Sequence, residues 1–369
     1  MVNVQLAERR ISAPAGRAAS DRERPLARRL ALPYNHDPGL VDLIEDLAPH
    51  VNDLYFAASP TVVGSGRHRL ELVRPRDFVS EIGVLVERIG PLGIKANVLV
   101  NPACLDDGYH DATPILGHLA ALQEVGVSTV TVTDLNLATL IRRHLPELEI
   151  SASTTALVNS AVKAALWREL CDVDDICPDR DVNKRPATLM AIKRAAPRAR
   201  IRLLVNDHCL PDCALRMQCM NSIAHNSPTW AQSYLKWCLG IKHEQPWVIY
   251  SNSMLVPANL AFYEKRGLVD IVKIQGRQAS SDYIAALARH YLTDSRVYDP
   301  FDAAEGHELE EPEGVFETVS RCARNCHECN LEQARERGFR NWCHYKFATT
   351  NESDDDVGAL RALSAAHGF

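Results

Sequence analysis

The chain is 369 residues long, with a formal net charge of −6 and a pI near 6.2, long enough for one barrel-sized domain with a small appendage. This acidic balance gives no electrostatic reason to expect nucleic acid as the main partner. No run of about 18 apolar residues marks a membrane span, and the N-terminus lacks the apolar core of a secretory signal, so a soluble cytoplasmic protein is expected, with a small molecule, a peptide or another protein as its partner.

Residues 1–28 carry Arg9, Arg10, Arg17, Arg22, Arg24 and Arg28 among Ala and Ser, with little apolar periodicity, and read as a disordered basic tail. From residue 29 short apolar strands alternate with amphipathic helices. RLALPYN (29–35) reads as a strand, PGLVDLIEDLAPHV (38–51) as a helix, DLYFAA (53–58) as a strand, and a helix through FVSEIGVLVERIG leads to the strand IKANVLVN (94–101). The loop PACLDDGYHD is followed by the helix PILGHLAALQEV, the strand STVTVTD (128–134), the helix LATLIRRHL and the strand LEISAS (148–153). ALVNSAVKAALWREL (156–170) reads as a helix, DVDDICPD carries the next strand, a helix starts near Arg185, and IRLLVN (201–206) returns to the sheet.

SPTWAQSYLKWCL (227–239) looks helical, QPWVIYSN fits a short extra strand and PANLAFYEKRG a helix. LVDIVKIQG (268–276) is the last strand of the series, before the helix SSDYIAALARHYL. Strands starting near 30, 53, 94, 128, 148, 173, 201 and 269 number eight, which predicts a TIM-like (β/α)8 barrel over residues 29–295. Residues 296–369 form an acidic linker, with DPFDAAEGHELEEPEGV at 299–315, and a small cysteine-rich metal-binding extension.

Eleven cysteines in a chain read as cytoplasmic point to metal binding or redox chemistry more than to disulfides, and their odd number rules out complete internal pairing. Cys209, Cys213 and Cys219 lie within NDHCLPDCALRMQC, a loop expected at the carboxyl end of the seventh strand, and Cys238 follows on the next predicted helix. Four thiolates at such spacing satisfy a 4Fe-4S cluster or a tetrahedral zinc ion. In barrel enzymes the carboxyl ends of the strands carry the active site, so a cluster there would lie beside substrate. Cys177 and Cys104 compete for a vacant ligand position, and buried cysteines also serve as small apolar side chains.

A second group, Cys322, Cys326 and Cys329 with Cys343 fourteen residues later, has the spacing of a separate metal site. Zinc and a second iron-sulfur cluster both fit, and His327 or His344 can replace a thiolate if the metal is zinc. In IVKIQGRQ, Lys273 and Arg277 flank Gly276 at the end of the last strand, where two cations can hold a carboxylate or phosphate. His208 and His225 flank the cysteine loop and are candidates for proton transfer. There is no GxxxxGK[ST], HExxH or GxSxG motif, and no GxGxxG after the first strand.

Four segments, EISASTTALVNS with Ser153, Thr154 and Asn159, DDICPDRD, VNDHCLPDC and VKIQGR, resemble in order those of the collagenase-like peptidase family. These are peptidases of unknown catalytic type, a family that includes iron-sulfur proteins of anaerobic ubiquinone and RNA hydroxylation. The resemblance covers roughly residues 30–295, with Gln275 standing where glutamate is usual. It implies a barrel and a 4Fe-4S cluster on four cysteines. The expected function is an iron-sulfur-dependent redox enzyme, oxygen-independent hydroxylase-like, acting on a small molecule or peptide. A peptidase or peptide-modifying enzyme, and a non-catalytic iron-sulfur scaffold serving a partner protein, are the alternatives.

Overall fold

The computed structural model describes residues 29–64, 75–207, 209–210, 213–225, 263–277 and 279–293, with residues 234, 237, 238, 255 and 260. Eight parallel strands close into a barrel in chain order: β1 Leu30–Pro33, β2 Val51–Ala57, β3 Lys95–Val100, β4 Thr129–Val132, β5 Glu149–Ala152, β6 Asp175–Ile176, β7 Arg200–Leu204 and β8 Ile271–Lys273. The last strand pairs back onto the first, Leu30 opposite Val272. All eight predicted strands are present, and the fold is the expected (β/α)8 barrel. The basic tail and the cysteine-rich extension lie outside the described residues.

The described helices are α1 Gly39–Leu43, α2 Pro75–Ile89, α3 Thr113–Glu124, α4 Leu135–His144, α5 Ala161–Cys171, α6 Pro186–Ala195, α7 Arg216–Ala224 and α8 Ser281–Thr293. None of the helices among the described residues is long and apolar enough to cross a membrane. Two predicted helices change. The single helix expected at 38–51 is α1 followed by a 3-10 turn, Glu45–His50, that contains Pro49, and β2 begins at Val51; proline supplies no N–H to continue an α-helical ladder. The helix expected from 156 starts at Ala161, because Leu157 is left-handed (φ 50°) and the Ser160 side chain caps the helix by accepting from the Lys163 N–H.

Strand side chains alternate between two environments. In β4, Val130 and Val132 join the large apolar layer that the helices cover, while Thr129 and Thr131 are fully buried on the other face. Asp53, Asn97, Asp175 and Arg202 are likewise buried polar positions of the inner face, and only a small apolar cluster of Ala31, Tyr55, Leu99 and Ile271 lies apart from the outer layer. The barrel interior is therefore largely a polar network. Arg202 Nη1 is 2.6 Å from Asp53 Oδ2, and its Nη2 is 2.6 Å from Asp175 Oδ2. Asp53 also accepts from Asn52 at 2.6 Å and Asn97 at 3.0 Å, and Asn97 accepts from Thr131 at 2.9 Å. Burial alone would raise the Asp175 pKa, but Arg202 and Arg200 together hold it below the ordinary value.

Breaking a buried pair leaves an uncompensated charge. Asp175→Ala is therefore expected to cost about 3–5 kcal/mol in urea unfolding, and a loss below about 1 kcal/mol would show that the ion network does not hold the barrel. A second expectation concerns His118 of α3, buried beside Phe78 with ring centroids 5.6 Å apart. Burial pushes its pKa down to about 4 from an ordinary 6.5. The unfolded chain then binds more protons between those values, so the stability held above pH 6.5 is lost as pH falls toward 4, on the order of 3 kcal/mol at the limit. His118→Gln should flatten that slope in unfolding curves recorded across this range; an unchanged slope would contradict the assignment.

Candidate active site at the carboxyl mouth of the barrel

The carboxyl ends of β5, β6, β7 and β8 are fastened to one another by side chains. After β6, the Asp179 side chain caps a short 3-10 turn, Arg180–Val182, by accepting from the Asp181 N–H. Asn183 Nδ2 then donates to the Leu204 carbonyl at 2.7 Å, strapping this turn to β7. Between β7 and β8, the Gln275 N–H donates to Asn206 Oδ1 at 2.8 Å, Asn206 Nδ2 to the Gln275 carbonyl at 3.0 Å, and Gln275 Nε2 to the Asn206 carbonyl at 2.8 Å. A glutamate at 275 has no amide N–H for the last of these. From β5, Ser153 and Thr155 share a hydroxyl contact of 2.6 Å, and Asn159 Nδ2 reaches Asp179 Oδ2 at 3.3 Å.

These straps converge on Arg180, which is 4 % exposed. Its Nη1 lies 3.1 and 3.0 Å from the two Asp207 carboxylate oxygens and 2.8 Å from Cys209 Sγ. Burial opposes the charge, but Asp207, with Cys209 and Asp179 behind it, raises the Arg180 pKa above its ordinary value. A guanidinium donating to a thiol favours the thiolate. One turn away Arg216, the first residue of α7, binds Asp181 through both terminal nitrogens, Asp179 at 3.3 Å and the Leu210 carbonyl at 2.8 Å. Arg216 thus ties the cysteine segment to the β6 turn.

The predicted ligands divide among several elements. Cys209 and Cys213 lie in the connection between β7 and α7, whereas Cys219, expected on the loop, is inside α7, its N–H donating to the Leu215 carbonyl. Cys238 lies in helical residues further along, and all four are half-buried. Cys104 is in the β3–α3 connection, accepting from the Asp106 N–H at 3.4 Å, and Cys177 is fully buried just past β6. Burial raises the Cys177 pKa. The described cysteines are all outside disulfides. Among the described residues, no three His, Cys, Asp or Glu side chains are gathered as a group that could hold a metal ion. His208 and the second cysteine group, Cys322, Cys326, Cys329 and Cys343, lie outside the described residues.

Of the other candidates, His225 ends α7 with Nδ1 3.7 Å from Asp106 Oδ2. Lys273 is the last residue of β8 and 7 % exposed, with Nζ 4.5 Å from the centre of the Tyr55 ring. Arg277 follows Gly276, whose φ of 135° suits glycine, in the turn beyond. Sequence reasoning missed Arg180, Asp207 and Arg216. The available signal was DRD directly after a buried strand, a charge run that reads as a solvated turn until the fold encloses it.

The model of peptidase family U32 matches residues 69–201. That match spans about a third of the chain and supports a likeness to the U32 family. The resemblance drawn from the sequence is borne out, although the matched segment ends inside β7, ahead of the cysteine loop. An uncharacterized protease, MJ1657, of Methanocaldococcus jannaschii is 26% identical over 295 residues, 75% of this chain and 85% of the relative. A solved structure of the U32 peptidase Mk0906 covers 69% of this chain and 95% of its own, at 16% identity and a TM-score of 0.47. One of D-psicose 3-epimerase covers 73% and 98%, at 10% identity and a TM-score of 0.39. Superpositions this loose assign no activity to this chain.

Arg180→Met removes the donor to Cys209 and keeps the side chain's bulk. Alkylation of Cys209 by iodoacetamide at neutral pH, read by peptide mass spectrometry, should slow by about tenfold or more, with Cys213 little changed. Equal rates in the two proteins would mean that Arg180 does not act on the thiol.

Proposed function

We propose that this chain is an enzyme that works at the carboxyl mouth of its barrel on a small molecule or peptide, using a 4Fe-4S cluster held by Cys209, Cys213, Cys219 and Cys238, in the manner of an oxygen-independent hydroxylase or related modifying enzyme. The observation that carries this reading is the 2.8 Å contact between Arg180 Nη1 and Cys209 Sγ, within a buried centre that also contains Asp207. Metal ligation needs thiolates, and a guanidinium in hydrogen-bonding range favours that form. Soft thiols are the donors that iron-sulfur clusters use, and Arg180 and Arg216 offset part of the negative charge that four thiolates bring.

The four cysteines are half-buried and not gathered as a metal group, so on this reading the β7–α7 connection closes in when the cluster binds. The cluster would supply redox or Lewis-acid chemistry. The chain's own residues do the rest: the Asn206–Gln275 clasp fixes the base of the connection, Arg216 ties its far end to Asp181, and Arg277 in the turn after β8 is placed to meet an acidic group on the substrate. His225 and His208 remain our candidates for moving protons. We assign Cys322, Cys326, Cys329 and Cys343 to a separate site for zinc or a second iron-sulfur cluster, and a protein partner fits this scheme. A second reading, peptide hydrolysis or peptide modification, is favoured by the match to peptidase family U32 and by a relative that is named a protease.

Protein purified without oxygen should be brown and carry about four iron and four sulfide for this site, and Cys209→Ala and Cys213→Ala should each lose them. Colourless protein holding zinc alone would falsify the redox reading, and peptide cleavage by such metal-free protein would establish the second.

A further inference from the structure

Lys273 is the group at the mouth whose burial the fold does not explain. It ends β8, is 7 % exposed, and lies with Nζ against the face of the Tyr55 ring, whose hydroxyl donates to the Ile274 carbonyl. No hydrogen bond engages Lys273 Nζ among the described residues. The carboxylate that couples to it, Asp53, is committed to Arg202, Asn52 and Asn97. An ammonium largely removed from water without an acceptor is disfavoured, and a single aromatic face offsets part of that loss. Among the charged neighbours, Asp53 from β2 favours protonation, as Cys177 after β6 would in its thiolate form, while Arg202 from β7 and Arg277 after β8 oppose it. Burial comes first among the causes, and the Lys273 pKa is lowered from its ordinary value. Lysines used as amine nucleophiles are prepared by this kind of desolvation beside other cations.

We propose that Lys273 is an imine-forming amine and that the mouth accepts a small carbonyl compound. The inference rests on reading the mouth as the reaction site, but not on the cluster. The Lys273 nitrogen lone pair forms a C–N bond to the carbonyl carbon, and the π electrons pass to the oxygen, which takes a proton from the amine. Loss of that oxygen as water, with a second proton, leaves the imine, so one amine and one carbonyl give one imine and one water with no change of oxidation state. Cys177, fully buried just past β6, couples electrostatically to the amine, and burial raises its own pKa.

Full-length protein, its metal content measured beforehand, is incubated with pyruvate at neutral pH and reduced with sodium borohydride, which supplies the hydride that turns an imine into a stable secondary amine. Peptide mass spectrometry should find the reduced adduct concentrated on Lys273, at least about tenfold above any surface lysine, and Lys273→Met should abolish it while circular dichroism and unfolding remain near wild type. The same bias should appear with acetaldehyde. Adducts spread evenly over surface lysines, no adduct with either compound, or pyruvate binding by calorimetry without an adduct would each overturn the assignment, the last showing that Lys273 holds a carboxylate instead. Because trapping needs no iron, colourless protein that still forms the adduct would separate this proposal from the cluster reading.

Discussion

Arg202 lies inside the barrel between Asp53 of β2 and Asp175 of β6, and the remainder of the architecture depends on that arrangement. A guanidinium at 1 % exposure is tolerable only if every strand that meets it keeps its register, since a shift of one residue would turn an apolar side chain inward and the carboxylate outward. The register that pairs Asp175 with Arg200 and Ile176 with Ile201 lets the turn after β6, which carries Arg180, meet Asp207 and Cys209 beyond the end of β7. The polar interior and the mouth are thus one connected construction, charged from the floor of the barrel to its rim.

That construction fastens the carboxyl ends of β6, β7 and β8 to one another. Asn183 straps the β6 turn to β7, the Asn206–Gln275 clasp closes β7 on β8, and Arg216 pins the far side of the cysteine connection to Asp181. Each strap satisfies a backbone or carboxylate group that burial would otherwise leave unpaired. Cys209 is held at one end of this framework by Arg180, whereas Cys213, Cys219 and Cys238 belong to elements beyond it. In the proposed function, that division gives one fixed ligand and three that arrive with the cluster.

The barrel was legible because its outer layer is apolar at alternate positions and its helices are amphipathic; Val130 and Val132 between Thr129 and Thr131 show the pattern in four residues. Helix boundaries were not legible where a single residue decided them, as Pro49 and Leu157 did, because periodicity averages over several turns. The cysteine segment could be placed at the end of β7, but Cys219 could not be assigned to α7, where apolar and polar residues do not fall into a clear stripe. Arg180 and Arg216 escaped for another reason. Arg180 between two aspartates and Arg216 at a helix start both read as solvent-exposed in one dimension, and only the folded barrel buries them. Lys273 was visible as a cation at a strand end, yet its burial against the Tyr55 ring is a property of the closed barrel alone.

In the proposed function, the arginine-held thiol at the carboxyl mouth anchors an iron centre. Crystals of the full-length protein grown without oxygen, with diffraction recorded on both sides of the iron absorption edge, test it directly. An anomalous peak is expected at bonding distance from Cys209 Sγ, about 2.3 Å, above the carboxyl ends of β6 and β7. Iron found only at the second cysteine group, or no iron peak at the mouth, would contradict it.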